Sequence, residues 1–282
     1  MSSQQFPVAI DHIRKHYDRL SYLYGLFWGE HLHHGYWEGS ESIPRAQIQL
    51  MERLAERAAV PRVPRGARVL DIGCGIGGSA LWLADQFDCD VTGLTISPVQ
   101  QRMAAAKAKS RGLSSRVRFH VTDANAWQPE RSSFDLIWIM ESSEHFHDKP
   151  GFFERCARAL KPGGTLAVCA WLRHDGPMRE DHRHLVNNIA EAMLSASLDS
   201  LSDYQRWMED AGLNVTAADD ITRHVEQTWS HCARIGANPF LRFCLRFTSR
   251  PTRLFVRSFP LMQRAYAEDA MAFGLFVAKK KS

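Results

Sequence analysis

The 282 residues are enough for one large domain, or for a core with an appended subdomain. Apolar residues make up 45% and charged residues 23%, an ordinary globular composition, and no apolar run approaches the length of a spanning helix. The formal net charge is +4, but nine Lys/Arg and two acids fall between Arg242 and Ser282, so that stretch carries +7 and the remainder −3.

The opening MSSQQFPVAI has no basic flank, apolar run or cleavage site, which predicts no signal peptide. Six scattered cysteines without a Cys-x-x-Cys argue against zinc and a disulfide framework, and predict reduced thiols in a cytoplasmic protein. Residues 8–28 carry apolar positions at helical spacing, predicting one or two helices. Residues 43–60 predict another amphipathic helix, closed by VPRVPRG. The pattern then alternates. Strands are predicted at ARVLDIG, CDVTGLTI, RVRFHVTDA, FDLIWIME and TLAVCAWL. CGIGGSALWLADQF is predicted as a glycine turn entering a helix, and helices are predicted at SPVQQRMAAAKAKSRG with Ser97 as N-cap and Gly112 at its end, and at GFFERCARAL. A helix at 201–212 and strands near 214–223 and 272–279 complete the core. Residues 175–200 and 226–265 read as helical insertions over the sheet's carboxyl edge. The fold class is α/β, a doubly wound, mostly parallel seven-stranded Rossmann-like sheet. The expected divisions are a helical cover at 1–60, a cofactor-binding core at 61–174, and the remainder of the sheet with substrate-binding insertions at 175–282.

VLDIGCGIGGSA is the strongest signal. Gly73, Gly75 and Gly77 follow a strand and open a helix, where missing side chains allow a sharp turn and close approach of a ligand. Gly73, Gly75 and Gly78 also satisfy a dinucleotide G-x-G-x-x-G, so a nicotinamide oxidoreductase is an alternative. Asp71, two residues before the first glycine, would repel a pyrophosphate but suits a cationic amino acid end. Asp123 in VTDA stands where an adenine amino group could be recognised.

LDIGCGIGG, GLTISPVQ, VTDA, FDLIWIMESSEH and LKPGGTLAV together resemble the class I S-adenosylmethionine-dependent methyltransferases, over roughly residues 66–225 as an estimate. HLHHGYWEG, LTISPVQ and MESSEH look like the tocopherol C-methyltransferase group, with sterol and alkaloid N-methyltransferase relatives. The resemblance implies S-adenosyl-L-methionine as cofactor, held by Tyr17, Asp71, Gly73, Cys74, Gly75, Gly77, Leu94, Thr95, Ile96, Gln100, Asp123, Ala124 and Glu141. Many members of the superfamily end strand two with an acid. Leu94 and Thr95 stand there instead, implying neutral ribose contacts through Thr95 and Gln100.

HLHHGYWEG raises three readings: a metal site, a packed loop and a substrate lid. Methyl transfer from a sulfonium needs no metal, and none is expected. Tyr36 and Trp37 favour a mobile lid, because aromatic faces can shield a sulfonium and attract it. Tyr17 and Tyr22 on the preceding helix join the same cover by the resemblance. In MESSEHFHDK, His145 is the first candidate base, since imidazole titrates near neutral pH, with Glu144 beside it. Glu141 is expected to organise the cofactor pocket. Tyr22, His33, Tyr36, Trp37, His145, Trp171, Trp229 and Phe240 are the expected substrate contacts. The expected partner is a lipophilic aromatic or polycyclic small molecule, methylated on ring carbon or nitrogen, with no nucleic acid. The basic C-terminal segment suggests peripheral membrane contact at most, and a monomer or homodimer is expected.

Overall fold

A computed structural model describes residues 8–60, 63–239, 243, 246, 248 and 250–281, without the side chains of 20, 22–27 and 251. A seven-stranded sheet runs in the order β3-β2-β1-β4-β5-β7-β6. Its strands are β1 (Arg68–Ile72), β2 (Asp90–Thr95), β3 (Val117–Val121), β4 (Phe134–Met140), β5 (Leu160–Arg173), β6 (Leu213–Asp220) and β7 (Met271–Lys280). The first five are parallel in their pairings, whereas β7 runs antiparallel to both β5 and β6. The sheet is therefore mixed, with β7 the one reversed strand.

Ten helices occur among the described residues: α1 (Ile10–Phe27), α2 (Ile43–Arg57), α3 (Gly78–Phe87), α4 (Pro98–Ser110), α5 (Lys149–Ala159), α6 (Glu180–Ala192), α7 (Leu201–Asp210), α8 (Thr222–Val225), α9 (Gln227–Ala237) and α10 (Arg250–Ala267). Local chemistry sets several ends. The Ser97 hydroxyl accepts the Gln100 N–H at 3.0 Å, with Pro98 at the first helical position of α4. Ser200 and Asp203 form a reciprocal capping box on α7. The KPGG that follows α5 lies within β5, which starts at Leu160. That strand enters the sheet at Leu160 opposite Phe134, and its register with β4 slips before Leu136 meets Thr165.

Alternation along the strands feeds two apolar layers. On β4, Leu136, Trp138 and Met140 join one layer, with Leu50 and Leu54 of α2 and Met262 of α10. Ile137 and Ile139 join the other, with Phe152 and Phe153 of α5 and Tyr204 and Met208 of α7. All of these are buried. Because both faces are covered, the middle strands read as continuous apolar runs. Strand order reverses between β1 and β4, and ligands in open α/β sheets sit at the carboxyl ends on either side of such a reversal.

Candidate active site

A cleft opens at that point. Its walls come from the ends of four strands and from the N-terminal segment: Asp71–Ile76 except Ile72, Leu94–Ile96, Thr122–Asn125, Met140–Ser142, and Ile10, Ile13, Tyr17 and Glu30–His33. It holds about 930 Å³ of space, open solvent included.

The glycines divide the work. Gly73 has φ +78°, and a Cβ there would lie 2.2 Å from the Ser142 Cβ. The Ser142 hydroxyl donates to the Ile72 carbonyl at 2.7 Å, tying the ends of β1 and β4 together. Gly75 has φ +52° and faces the cleft, where an added Cβ would meet only Leu32 Cδ1 at 3.8 Å. Gly77 does not line the cleft, which corrects its expected cofactor contact. It has φ +88°, and a Cβ would lie 2.9 Å from the Ala104 Cβ, so it serves the turn and the packing of α3 on α4. Gly78 lines the cleft instead, and a Cβ on it would come within 2.7 Å of both the Glu30 carbonyl and His31 Nδ1.

Asp71 is buried on the cleft wall, and its Oδ2 has no partner among the described residues. Burial pushes its pKa up to about 7, against a backbone N–H at Ala80 that pulls it down. At the end of β2 the Thr95 hydroxyl donates to Gln100 Oε1 at 2.7 Å and accepts the Ser97 N–H at 3.2 Å. The Ser97 hydroxyl donates to Asp18 of α1 at 2.5 Å, which ties the cover to α4. Asp123 Oδ1 accepts from the Asn125 backbone and side chain at 2.8 and 3.0 Å, shaping the turn beside Ala124.

His145 faces the cleft from a 3-10 turn, Ser143–His145. Its Nδ1 lies 2.8 Å from the Leu194 carbonyl, an acceptor only, so Nδ1 carries the proton. Burial lowers its pKa, the Leu194 carbonyl opposes that, and Lys149 adds to it. The neutral ring therefore turns an Nε2 lone pair toward Tyr17, whose hydroxyl donates to it at 3.0 Å. Burial raises the Tyr17 pKa, helped by Glu144 and Glu141, so the phenol keeps its proton.

Glu141 also lines the cleft, with φ +52°, a conformation rare outside glycine. Its Oε1 accepts the His34 backbone N–H at 2.7 Å, and its Oε2 accepts His34 Nδ1–H at 2.8 Å and Trp171 Nε1–H at 2.6 Å. Burial would raise its pKa, yet His34, His33 and the Trp171 indole together hold it below the usual value. Burial also lowers His33, and takes His31 down to about 3. Both rings are neutral members of the cleft wall.

Several expected contacts lie elsewhere. Glu144 does not line the cleft. Three residues per turn aim it away from His145, and its Oε1 accepts the Trp171 backbone N–H at 2.5 Å. Burial lifts its pKa to about 8. Tyr36 and Trp37 are not lid residues. Tyr36 stacks on His224 at 4.3 Å and Trp37 on His231 at 4.8 Å, and the Trp37 indole donates to Thr228 Oγ1 at 3.1 Å. The segment is pinned further by Gly35 N–H to Thr228 and by Gln47, which donates to the His31 and His33 carbonyls. The expected mobile lid is thus a buried wall.

Trp171 and Trp229 pack on His34, with ring centroids 5.6 and 5.2 Å away, and do not reach the cleft. No described cleft-lining residue lies beyond Phe146, so the described parts of the late insertions buttress the wall rather than form it. The Tyr22 side chain and Phe240 lie outside the described residues. Ile10, Ile13, Leu32, Asn125, Ser142 and Phe146 line the cleft without having been expected there. Only the helical period of α1, which places Ile10, Ile13 and Tyr17 on one face, signalled any of them. Among the described residues no three His, Cys, Asp or Glu are grouped to hold a metal.

Residues 69–164 match the methyltransferase domain family. The probable tocopherol O-methyltransferase, chloroplastic, of Oryza sativa subsp. japonica is 34% identical over 227 residues, covering 76% of this chain. The chain spans 62% of that relative's length. The 27-O-demethylrifamycin SV methyltransferase of Amycolatopsis mediterranei (strain S699) is 34% identical over 223 residues, covering 78% of this chain and 80% of the relative. The crystal structure of a putative sarcosine dimethylglycine methyltransferase from Galdieria sulphuraria shares the fold, with a TM-score of 0.81 at 23% identity over 94% of this chain and 99% of that one. The nicotinamide and nucleic-acid alternatives find no support in these matches. Sheet, glycine turn and matches define an S-adenosylmethionine-dependent methyltransferase. The chain belongs to the class I family of these enzymes and is related to the tocopherol methyltransferases.

The residues present fit the cofactor. The unpartnered Asp71 oxygen suits a cationic amino group, and Gly75 leaves the backbone approach open. Thr95, Gln100 and Asp123 supply polar groups on the same cleft.

Proposed function

We propose that the enzyme methylates a lipophilic aromatic or polycyclic acceptor bearing a ring hydroxyl, and that Tyr17 and His145 together remove the hydroxyl proton. S-adenosylmethionine, when bound, supplies an electrophilic methyl group on a sulfonium. The cleft residues hold it, align it and exclude water. The observation that carries the reading is the fixed tautomer of His145. With Nδ1–H committed to the Leu194 carbonyl, the Nε2 lone pair is left to act as a base and accepts the Tyr17 hydroxyl proton. The acceptor's proton passes to the Tyr17 oxygen as Tyr17's own proton passes to Nε2. The electron density left on the acceptor activates its oxygen or the adjoining ring carbon.

Apolar side chains line the cleft beside this pair: Ile10, Ile13, Leu32, Met140 and Phe146. They favour a ring-bearing molecule over a small hydrophilic amine. The names of two relatives, tocopherol O-methyltransferase and 27-O-demethylrifamycin SV methyltransferase, support an acceptor of that chemistry.

The test is His145→Ala, measured on a panel of ring hydroxyl acceptors. Turnover should fall about a hundredfold while S-adenosylhomocysteine affinity stays nearly unchanged. Equal loss of both would make His145 a cofactor-pocket residue. Robust turnover of hydrophilic amines, with none on any ring acceptor, would defeat the reading.

A further inference from the structure

From Asn238 to Ala267 the sequence holds six arginines and no acid. α10 displays three of them, Arg250, Arg257 and Arg264, at exposed positions seven residues apart. Leu254 and Leu261 fall between them on the same stripe, the first 37% exposed. Just before the helix, Phe243 is 55% exposed and Arg246 is exposed. Phe243 and Leu254 are two of the three exposed large hydrophobics among the described residues. Arg264 pairs with Glu268, but Arg246, Arg250, Arg253 and Arg257 make no ion pair with a described acid.

The stripe also borders the cover. Phe255 of α10 meets His16 of α1 with ring centroids 5.3 Å apart. The next residue of α1, Tyr17, lines the cleft with Ile10 and Ile13.

We infer that the Arg250–Leu254–Arg257–Arg264 face of α10 docks the enzyme on an anionic phospholipid bilayer, with α1 and the cleft mouth beside the lipid. No described helix is long and apolar enough to cross a membrane, so the contact is interfacial. Arg250 and Arg257, which pair with no described acid, meet the anionic headgroups while Leu254 and Phe243 enter the acyl boundary. Nucleic acid would use the charges but gives Leu254 and Leu261 nothing to bury against. The part of this inference that concerns substrate delivery rests on the lipophilic acceptor proposed above, since such a molecule partitions into the bilayer. The docking itself does not.

The test is sedimentation of the full chain with vesicles of phosphatidylcholine alone, and of phosphatidylcholine mixed with phosphatidylglycerol. The protein should sediment with the mixed vesicles, not with the neutral ones, and high salt should release it. Each arginine neutralised near the surface should weaken partitioning about fivefold, so Arg250→Gln with Arg257→Gln should cost about twenty-five-fold. Leu254→Ser should weaken it while leaving the salt dependence intact. S-adenosylhomocysteine affinity of each variant, by calorimetry, should match the parent and reports that the chain is folded. No binding to the mixed vesicles, equal binding to neutral ones, or undiminished binding by the folded double variant would overturn the inference. So would retention of an oligonucleotide without vesicle binding. Because no arm reads turnover, failure here leaves the proposed acceptor untouched, and failure of the acceptor leaves the docking result standing.

Discussion

At Asp71 one carboxylate oxygen lies buried without a partner on the cleft wall, and burial pushes the pKa up to about 7. A cationic amino group bound there would favour the ionised form. Below pH 7 binding must therefore expel a proton, and affinity should fall as pH drops. Calorimetry of S-adenosylhomocysteine at pH 6, in buffers of different ionisation enthalpy, should show close to one proton released per ligand. Binding with no proton release would place the amino group elsewhere. Asp71→Asn should flatten the same profile. The neighbouring glycines separate ligand contact from folding. Gly75→Val fills the open approach and should abolish measurable binding. Gly77→Ala meets Ala104 at 2.9 Å and strains φ +88°, so it should lower the melting temperature more than it weakens the ligand. In the sequence the two glycines look alike, because a G-x-G-x-G pattern reports a turn but not which residue faces the ligand. Asp71, Thr95 and Gln100 were legible because each is fixed to the end of a strand or the first turn of a helix.

The cover shows what element-scale reading can and cannot reach. Helix α1 and the strands were legible from period, and so were the capped start of α4 and the reversal point that locates the cleft. The direction of Tyr36, Trp37, Trp171 and Trp229 was not. An aromatic residue near a site suits a lid and a core equally well, and only a tertiary partner decides. Here that partner is Thr228 of α9, which lies 193 positions from Gly35 and accepts two hydrogen bonds at 3.1 Å, from Gly35 N–H and the Trp37 indole. Glu144 was expected beside His145 as a base, but the 3-10 turn aims it at the Trp171 backbone N–H instead of into the cleft. Thr228→Val would leave both buried donors unpaired at nearly constant volume, costing about 2–4 kcal/mol. A melting shift of roughly 4–12 °C should follow for a chain of this size. The measurement is a thermal melt with S-adenosylhomocysteine present and absent. An unchanged melting temperature would show that the 31–39 wall is not pinned where the structure places it.

Across the whole molecule, burial sets titrating groups of opposite sense in different places. In the cover and its contacts, His16 is lowered from 6.5 to about 4 and His31 to about 3, mainly by burial, with His33 and His145 lowered as well. As pH falls below 6.5 the unfolded chain protonates these histidines while the folded chain resists, so stability falls with pH. At the carboxyl edge of the sheet, Asp71 is raised to about 7 and Glu144 to about 8. Between the ordinary carboxylate range and those values the folded chain holds protons that the unfolded chain has lost, so stability falls as pH rises. The two trends oppose each other between about pH 4 and 6.5, and just above 6.5 the raised carboxyls Asp71 and Glu144 lead. Four histidines against two carboxyls leave the acid side dominated by the cover. Melting temperature should therefore peak near pH 6.5 and decline on both sides. The acid decline should also be local, since the four histidines stand on α1, the 31–39 wall and the turn that meets Tyr17. Hydrogen exchange, expressed as protection factors to remove the intrinsic pH dependence, should show residues 10–39 losing protection between pH 6.5 and 4 while β4 and β5 keep theirs. S-adenosylhomocysteine should reduce the alkaline decline, because an ionised Asp71 then has a cationic partner. Uniform loss of protection across the cover and β4 would mean that acid acts on the core as a unit, and that the neutral histidines do not hold the cover closed.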